Sequence, residues 1–313
     1  MPLCVFDIHP DGTVTRPEDS ALDGPGRYRW WHYDLSDPAL PDWIAATLDP
    51  IPGQALLQAE TRPRCDPHGD GLILNLRGIN LNEGQPAEQM VSVRMWVTAS
   101  AIVTVRLRKV FALDRLRRRI EHGDPPASVP AFIEALIRDL TDRIQDEVGA
   151  TAKLTEFFEA DLEDSTTAPP SDLPVIRRRV IRLRRYLEPQ RTAIHRLSIS
   201  DQPIFGPGDL LELRELANRT TIAVEELDAL RERLVAVQDE HEQITARAQA
   251  RHGLTLSIAA AVFLPLGFLT GLFGVNIAGM PGLENPLAFT FLCLALIFLA
   301  LGMIVLIRWL RWV

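Results

Sequence analysis

Two long runs without a charged residue stand near the C-terminal end of the chain and constrain its fold more than any other feature. The first, residues 254–273, has 20 residues, and the second, residues 287–307, has 21. About 20 apolar residues in a helix cross a hydrocarbon core of about 30 Å. A pair of helices buried in a large soluble core would give the same pattern. Two such runs in a chain with 24% charged residues favour membrane spans.

The connection between the two runs predicts a hairpin with both of its ends on one side of the membrane. Residues 274–286 contain no Lys or Arg, whereas Arg247 and Arg251 precede the first run and Arg308 and Arg311 follow the second. Basic residues concentrate on the cytoplasmic side of membrane proteins. We therefore expect a multi-pass inner-membrane protein with both termini in the cytoplasm.

A long helix is predicted to lead into the first run. Gly206-Pro207-Gly208 breaks the preceding structure, and Asp209 followed by Glu212 is typical of a capped helix start. A helix from Asp209 to Phe273 would be roughly 95–100 Å long. Ten positions of this helix, spaced alternately three and four residues apart, form a stripe, and eight of them are apolar. The ten are Leu213, Leu216, Thr220, Ala223, Leu227, Leu230, Leu234, Val237, His241 and Ile244. We prefer a parallel bundle of identical helices, and packing of helices within one subunit is the alternative.

The rest of the chain predicts an α+β cytoplasmic domain, a mixed α/β sandwich with long helices. Strand patterns cover residues 3–8, 29–35, 72–79, 89–97 and 101–107, and helical patterns cover 41–48 and 111–122. From residue 130 the pattern is helical. Residues 134–164 hold ten acidic side chains and residues 177–185 hold six arginines. We expect these segments to pair as an antiparallel hairpin and expect no nucleic-acid partner, because the pI is about 5.4.

No sequence pattern of an enzyme stands out. Walker A, G-x-G-x-x-G and H-E-x-x-H patterns are absent. Cys65-Asp66-Pro67-His68 could offer two metal ligands, but two ligands do not make a site, and a plain turn is the preferred interpretation. We expect no enzymatic activity, no catalytic residues and no cofactor.

The end of the first run carries a resemblance to a known family. Residues 263–276 read F-L-P-L-G-F-L-T-G-L-F-G-V-N, and Met280-Pro281 follows. This resembles the F-M-P-L-T-F-I-x-G-I-Y-G-M-N pattern of the CorA metal-ion transporter superfamily, most closely its zinc-transporting ZntB branch. Gly267 replaces the threonine of that pattern, and Gly282 replaces a downstream acid, with Glu284 two residues further on.

The resemblance implies a homopentameric funnel in the lipid bilayer that transports divalent ions, Zn²⁺ first, with possible proton coupling. Gly274, Val275 and Asn276 would form the entrance filter, where Asn276 meets a hydrated ion. Met280, Pro281 and Glu284 would belong to the entrance loop. The pore-lining candidates are Thr270, Gly267, Leu264, Ser257, Leu256, Gly253 and Asp239. A magnesium, cobalt or nickel channel of the same superfamily is the first alternative, and a membrane-anchored sensor or scaffold is the second.

These expectations divide the chain into seven parts. They are an α/β domain (1–130), a helical hairpin region (131–205), a stalk helix (206–253), a pore-lining span (254–273), an extracytoplasmic loop (274–286), a second span (287–307) and a cytoplasmic tail (308–313).

Overall fold

The structure, a computed structural model, describes residues 1–17, 19–164, 172–275 and 286–309, with side chains omitted for 161–164. The chain separates into two compact units. The first comprises Met1–Ser165 and Pro169–Gln238, and the second comprises Thr166–Ala168 and Asp239–Val313. Each is considered by itself.

One mixed sheet organises the first unit. Its strands are β1 (Cys4–Ile8), β2 (Val14–Thr15), β3 (Tyr28–Asp34), β4 (Arg64–His68), β5 (Gly71–Gly78), β6 (Val91–Val97) and β7 (Ala101–Arg106). They lie in the order β2-β1-β3-β7-β6-β5-β4. Strands β3 and β7 pair in parallel, and the other neighbours are antiparallel. The strand patterns predicted at residues 89–97 and 101–107 correspond to β6 and β7, which pair as an antiparallel hairpin.

Helices of the first unit cover both faces of this sheet. In the described residues, the helices of both units are α1 (Leu40–Thr47), α2 (Pro50–Leu57), α3 (Phe111–Glu121), α4 (Val129–Asp164), α5 (Leu173–Ser198), α6 (Pro207–Phe273) and α7 (Ala288–Trp309), and α7 and the end of α6 belong to the second unit. Side chains alternate across a strand, so Trp31 of β3 packs on one face with Ile44 of α1 and Leu56 of α2. Trp30 packs on the other face with Phe132 of α4 and Leu213 of α6. The predicted mixed α/β architecture with long helices is confirmed.

The plain turn expected at residues 65–68 is wrong, because these residues belong to edge strand β4. Pro67 fits there because an edge strand needs no N–H donor on its free side. Cys65 is buried and His68 is three residues further on, so their side chains leave opposite faces of the strand. Burial raises the pKa of the Cys65 thiol to about 12. The pair therefore cannot hold one metal ion.

The preferred interpretation of the stripe on α6, a parallel bundle of identical helices, is also wrong over most of the stripe. Its first eight positions, from Leu213 to Val237, are at most 3% exposed within a single chain. From Ala223 onward they pack with residues of α4 such as Val148 and of α5 such as Leu183. The alternative, helix packing inside one subunit, explains the stripe. These eight positions are therefore not free to form a bundle between identical chains.

The arginines of α5 make structural contacts in the first unit. Arg179 lies 3.4 Å from Glu147 of α4, as the predicted pairing of basic and acidic helices requires. Arg184 instead pairs with Asp228 of α6. The acidic helix α4 reaches α6 as well, where Glu159 forms a two-point salt bridge with Arg233. The charged segments thus join three helices rather than two.

Asp209 stabilises the start of α6 differently from the prediction. The helix begins at Pro207, so Asp209 is inside its first turn. Its carboxylate accepts a hydrogen bond from the backbone N–H of Gly206 at 2.8 Å. An acceptor that reaches back in this way satisfies a donor that the helix leaves unpaired.

Candidate ion pathway

The second unit contains two helical segments that are long and apolar enough to cross a membrane. They are the C-terminal part of α6 and the helix α7. In their most apolar stretches, 0% of the α6 residues and 6% of the α7 residues are buried. A core helix of a soluble protein would be mostly buried, so these two segments do not act as core helices in this chain.

The pore-lining candidates in and next to the span lie on one side of α6. Gly253, Ser257, Leu264 and Gly267 follow one another at three-, four- or seven-residue intervals, which keeps them on one helical face. All are exposed, Leu264 to 73%. Leu256 shares this side, Thr270 lies at its edge, and Asp239 lies 14 residues before Gly253 in the same register.

Ala260 belongs to the same face, although the sequence interpretation missed it. It is exposed and fills the gap between Ser257 and Leu264, three residues after one and four before the other. The three-and-four spacing alone could have identified it. We define the pathway face as the seven pore-lining candidates together with Ala260.

The opposite side of α6 is partly covered. Its half-buried residues are Ile258, Ala259, Val262, Pro265, Leu266 and Leu269. Helix α7 has a similar stripe at helical spacing, made of Ala288, Leu292, Cys293, Leu296, Leu299, Ala300, Met303 and Ile307. The two stripes indicate that the helices of the second unit cover each other there, which leaves the pathway face open.

The hydroxyl of Thr270 is bonded to its own helix. It donates to the carbonyl oxygens of Leu266 at 3.0 Å and Gly267 at 3.1 Å. The single hydroxyl proton is thereby used, and the oxygen lone pairs remain available as acceptors. Thr255 donates in the same way to the Arg251 carbonyl at 2.9 Å, but from the partly covered side of the helix.

Gly274 follows the last residue of α6 and lies close to the backbone of the last helical turn. Its N–H donates to the Thr270 carbonyl at 2.9 Å, and a Cβ at this position would lie 3.0 Å from the same oxygen. Gly267 and Gly271 are different, because a Cβ there would meet nothing within 4 Å. A side chain at Gly274 would be crowded by the end of the helix, whereas Gly267 and Gly271 leave room beside the helix.

The helix end also concentrates negative partial charge. The last carbonyls of an α-helix lack intrahelical donors, and the helix dipole places about half a negative charge at this end. Val275 follows directly and is 46% exposed. Asn276, Met280, Pro281 and Glu284 lie outside the described residues, so their predicted roles at the entrance stay predictions.

Ligands for a tightly held metal ion are absent from the parts of the chain that the structure describes. There, no group of three or more His, Cys, Asp or Glu residues could hold a metal. The span 254–273 itself contains none of these residue types. A cation that moves along this face would meet hydroxyls, carbonyls and apolar side chains.

Comparison with known proteins agrees with this architecture. The family model described as CorA-like Mg2+ transporter protein matches residues 25–309. The chain belongs to the CorA family. Members of this family are membrane ion transporters and not enzymes.

Relatives of known name extend the comparison within the CorA family. The zinc transport protein ZntB of Pectobacterium carotovorum subsp. carotovorum (strain PC1) is 35% identical over 275 residues, which cover 87% of this chain and 84% of that protein. The structure of the full-length CmaX protein has a TM-score of 0.87 and 32% identity, and covers 99% of this chain and 98% of that one. The CorA magnesium transporter of Methanocaldococcus jannaschii has a TM-score of 0.80 at 14% identity, with 98% of both chains covered, and shows the shared fold.

Proposed function

We propose that this protein is a zinc transporter of the inner membrane that carries a largely hydrated divalent cation through a homopentameric pore. The observation that carries the proposal is the open face of α6 between residues 254 and 273, which holds no charged side chain and is followed in the sequence by Gly274-Val275-Asn276. Relatives that are 31–35% identical over most of the chain and are named zinc transport proteins support zinc as the ion.

The chemistry of the span supports passage of a hydrated ion. Firm zinc sites use thiolate, imidazole or carboxylate ligands at about 2.0–2.3 Å. The span 254–273 contains none, so the ion keeps water ligands and meets Thr270, Ser257 and backbone carbonyls. At the entrance, the amide oxygen of Asn276 and the negative end of α6 would attract the cation without trapping it.

The exposure of the pathway face supports assembly of several copies. Leu256 and Leu264 are each 73% exposed in a single chain, and the space beside Gly267 and Gly271 is open. Small residues of this kind allow close helix packing in membranes. Five copies with this face turned inward would enclose a channel, and α7 would form an outer ring.

Proton coupling would require a route through pore water. Intramembrane proton relays normally use Asp, Glu or His side chains, and both spans lack these residue types. The groups outside the spans that could exchange protons with pore water are Glu284 on one side and Asp239, His241 or His252 on the other. We propose a topology with both termini cytoplasmic and the 274–286 loop outside.

A magnesium, cobalt or nickel channel is the second candidate, favoured by the Mg2+ description of the matching family model. Zinc and magnesium flux into proteoliposomes under imposed pH gradients separates the two. Replacing Asn276 with Ala should abolish most zinc flux while native mass spectrometry still detects the oligomer. Asn218→Ala, an exposed change in the cytoplasmic part of α6, is the matched control and should leave flux unchanged. Normal flux in the Asn276 variant, or zinc flux no greater than an empty-liposome control, would contradict the proposal.

A further inference from the structure

A large cavity in the first unit plays no part in the ion pathway. Its volume is about 740 Å³, within the size range of small-molecule sites. The walls come from the segment after α2, from β5 and β6, from the residues after β7, and from α5.

The lining is strongly basic although the chain as a whole is acidic. Five arginines and two glutamates line the cavity, so positive charge exceeds negative charge there by three, against a net charge of −8 for the chain. Glu88 is engaged by Arg182 at 3.4 Å and by Arg179 at 3.8 Å. Among the described residues, no carboxylate lies within salt-bridge distance of Arg62, Arg77, Arg108 or Arg185.

Arg77 is held at the wall by carbonyl groups, and the only carboxylate of the lining that acts on its charge is Glu60, which is not within salt-bridge distance. Nη1 of Arg77 donates to the Met90 carbonyl at 2.9 Å and its Nη2 to the Thr61 carbonyl at 2.7 Å. The guanidinium lies 4.1 Å from the ring centre of Tyr186. Its buried Nε has no hydrogen-bond partner among the described residues.

A second arginine, which is fully buried, binds the backbone that forms this part of the cavity wall. Arg94 is 0% exposed, and it donates to the carbonyls of Gln58 and Ala59 at 2.7 Å each. Ala59 lines the cavity. Burial lowers the pKa of Arg94, and the positive charge of Arg77 lowers it further. A buried arginine next to a half-buried one, neither of them within salt-bridge distance of a carboxylate among the described residues, is costly unless an anion compensates the charge.

We propose that this cavity binds a small phosphorylated compound with several negative charges. A guanidinium group can donate two parallel hydrogen bonds to two oxygens of one phosphate. An ammonium group or a single backbone amide cannot form this paired arrangement. Arg62, Arg108 and Arg185 are exposed at the cavity and free to move onto a ligand, whereas Arg77 is already positioned. The volume exceeds the needs of a single inorganic ion and accommodates a compound the size of a nucleotide.

Equilibrium binding of pyrophosphate and of ATP to the full-length protein in detergent, at about 0.15 M NaCl, tests this assignment. Both should bind saturably at one site per chain. Arg108→Gln combined with Arg185→Gln should weaken binding at least about tenfold. The matched control combines Arg118→Gln with Arg231→Gln, two exposed arginines outside the cavity, and should bind as the unchanged protein does.

Three results would overturn the assignment: no saturable binding of either probe, equal binding by the two double variants, or sulfate binding as tightly as pyrophosphate. Thermal unfolding of both variants checks that they are folded. Tighter ATP than pyrophosphate binding would support a nucleotide-sized occupant, and equal affinities would support recognition of the phosphates alone. Zinc flux is not measured, so the outcome is independent of the proposed transport function.

Discussion

Arg29 and Asp7 form a buried two-point salt bridge between neighbouring strands β3 and β1. Nε of Arg29 donates to Oδ1 of Asp7 at 2.6 Å, and Nη2 donates to Oδ2 at 2.8 Å. Their side chains are 0% and 3% exposed. Nη1 of the same arginine donates to Asp19 and to the Ala21 carbonyl. One guanidinium thus connects the sheet to the segment that follows β2.

The first prediction concerns this pair. Asp7→Asn should lower the free energy of unfolding by about 3 kcal/mol, because it removes the buried one of the two carboxylates that pair with the Arg29 guanidinium and leaves only the more exposed Asp19. Trp30, Trp31, Trp43 and Trp96 lie in the same unit, so denaturant unfolding of the full-length protein can be followed by tryptophan fluorescence. Asp201→Asn, an exposed change, is the control and should stay within about 0.5 kcal/mol. A loss no larger than that of the control would mean that the pair does not hold the strands together.

The second prediction concerns pH. The Thr104 hydroxyl donates to the Trp31 carbonyl and accepts from Trp30 Nε1, so His32 Nδ1 must donate to it at 2.8 Å. Burial lowers the pKa of His32 to about 4. The unfolded chain therefore binds the proton more readily than the folded one. Stability should be complete above about pH 6.5 and should fall as the pH drops toward 4, by about 3 kcal/mol at most.

Replacing the titrating ring tests that assignment. His32→Asn keeps a donor for Thr104 and should flatten the dependence of unfolding free energy on pH between about 6.5 and 4. His122→Asn, at an exposed position, should leave the dependence as it was. Identical pH profiles for the His32 variant and the unchanged protein would remove His32 as the cause.

The third prediction separates contacts within a chain from contacts between chains. Leu234→Ala should cost about 2–5 kcal/mol of unfolding free energy, because Leu234 is 0% exposed in the core shared with α5. That loss should be the same at two protein concentrations roughly tenfold apart, since stability that depends on association varies with concentration. Leu211→Ala, at a residue 64% exposed on the same helix, is the control. A loss that grows on dilution would restore a bundle of identical helices.

The stripe on α6 illustrates what the sequence could not decide. A 3.5-residue period requires a buried stripe, but a second copy and another helix of the same chain bury it equally well. Strands such as β6 and β7 were predicted because β-branched and aromatic residues dominate them. Strand β4 was missed because Pro67 and the following Gly69 resemble a turn, and only its edge position makes Pro67 acceptable.

The candidate site was predictable to a similar degree. Helical spacing was enough to place Gly253, Ser257, Leu264 and Gly267 on one face. The distinction between Gly274 and the other glycines depends on the distance to the Thr270 carbonyl, which is a property of the folded helix end. The basic cavity joins residues from distant segments such as Arg62 and Arg185, and no local pattern connects them.

The last prediction concerns how the ion passes. Thr270→Val removes a hydroxyl at the edge of the pathway face while keeping the shape of the side chain. If the water shell of the cation forms one hydrogen bond with this hydroxyl during passage, its loss should raise the barrier by about 1 kcal/mol. Zinc flux should then fall roughly fivefold. Thr255→Val loses the same type of bond to its own helix on the partly covered side, so its flux should be unchanged. Because the span offers no thiolate, imidazole or carboxylate, cobalt, nickel and cadmium should also be carried, at rates within about tenfold of zinc. Equal losses in the two threonine variants would trace the effect to helix stability. Transport of zinc alone, from a tight intramembrane site, would contradict passage of a hydrated ion.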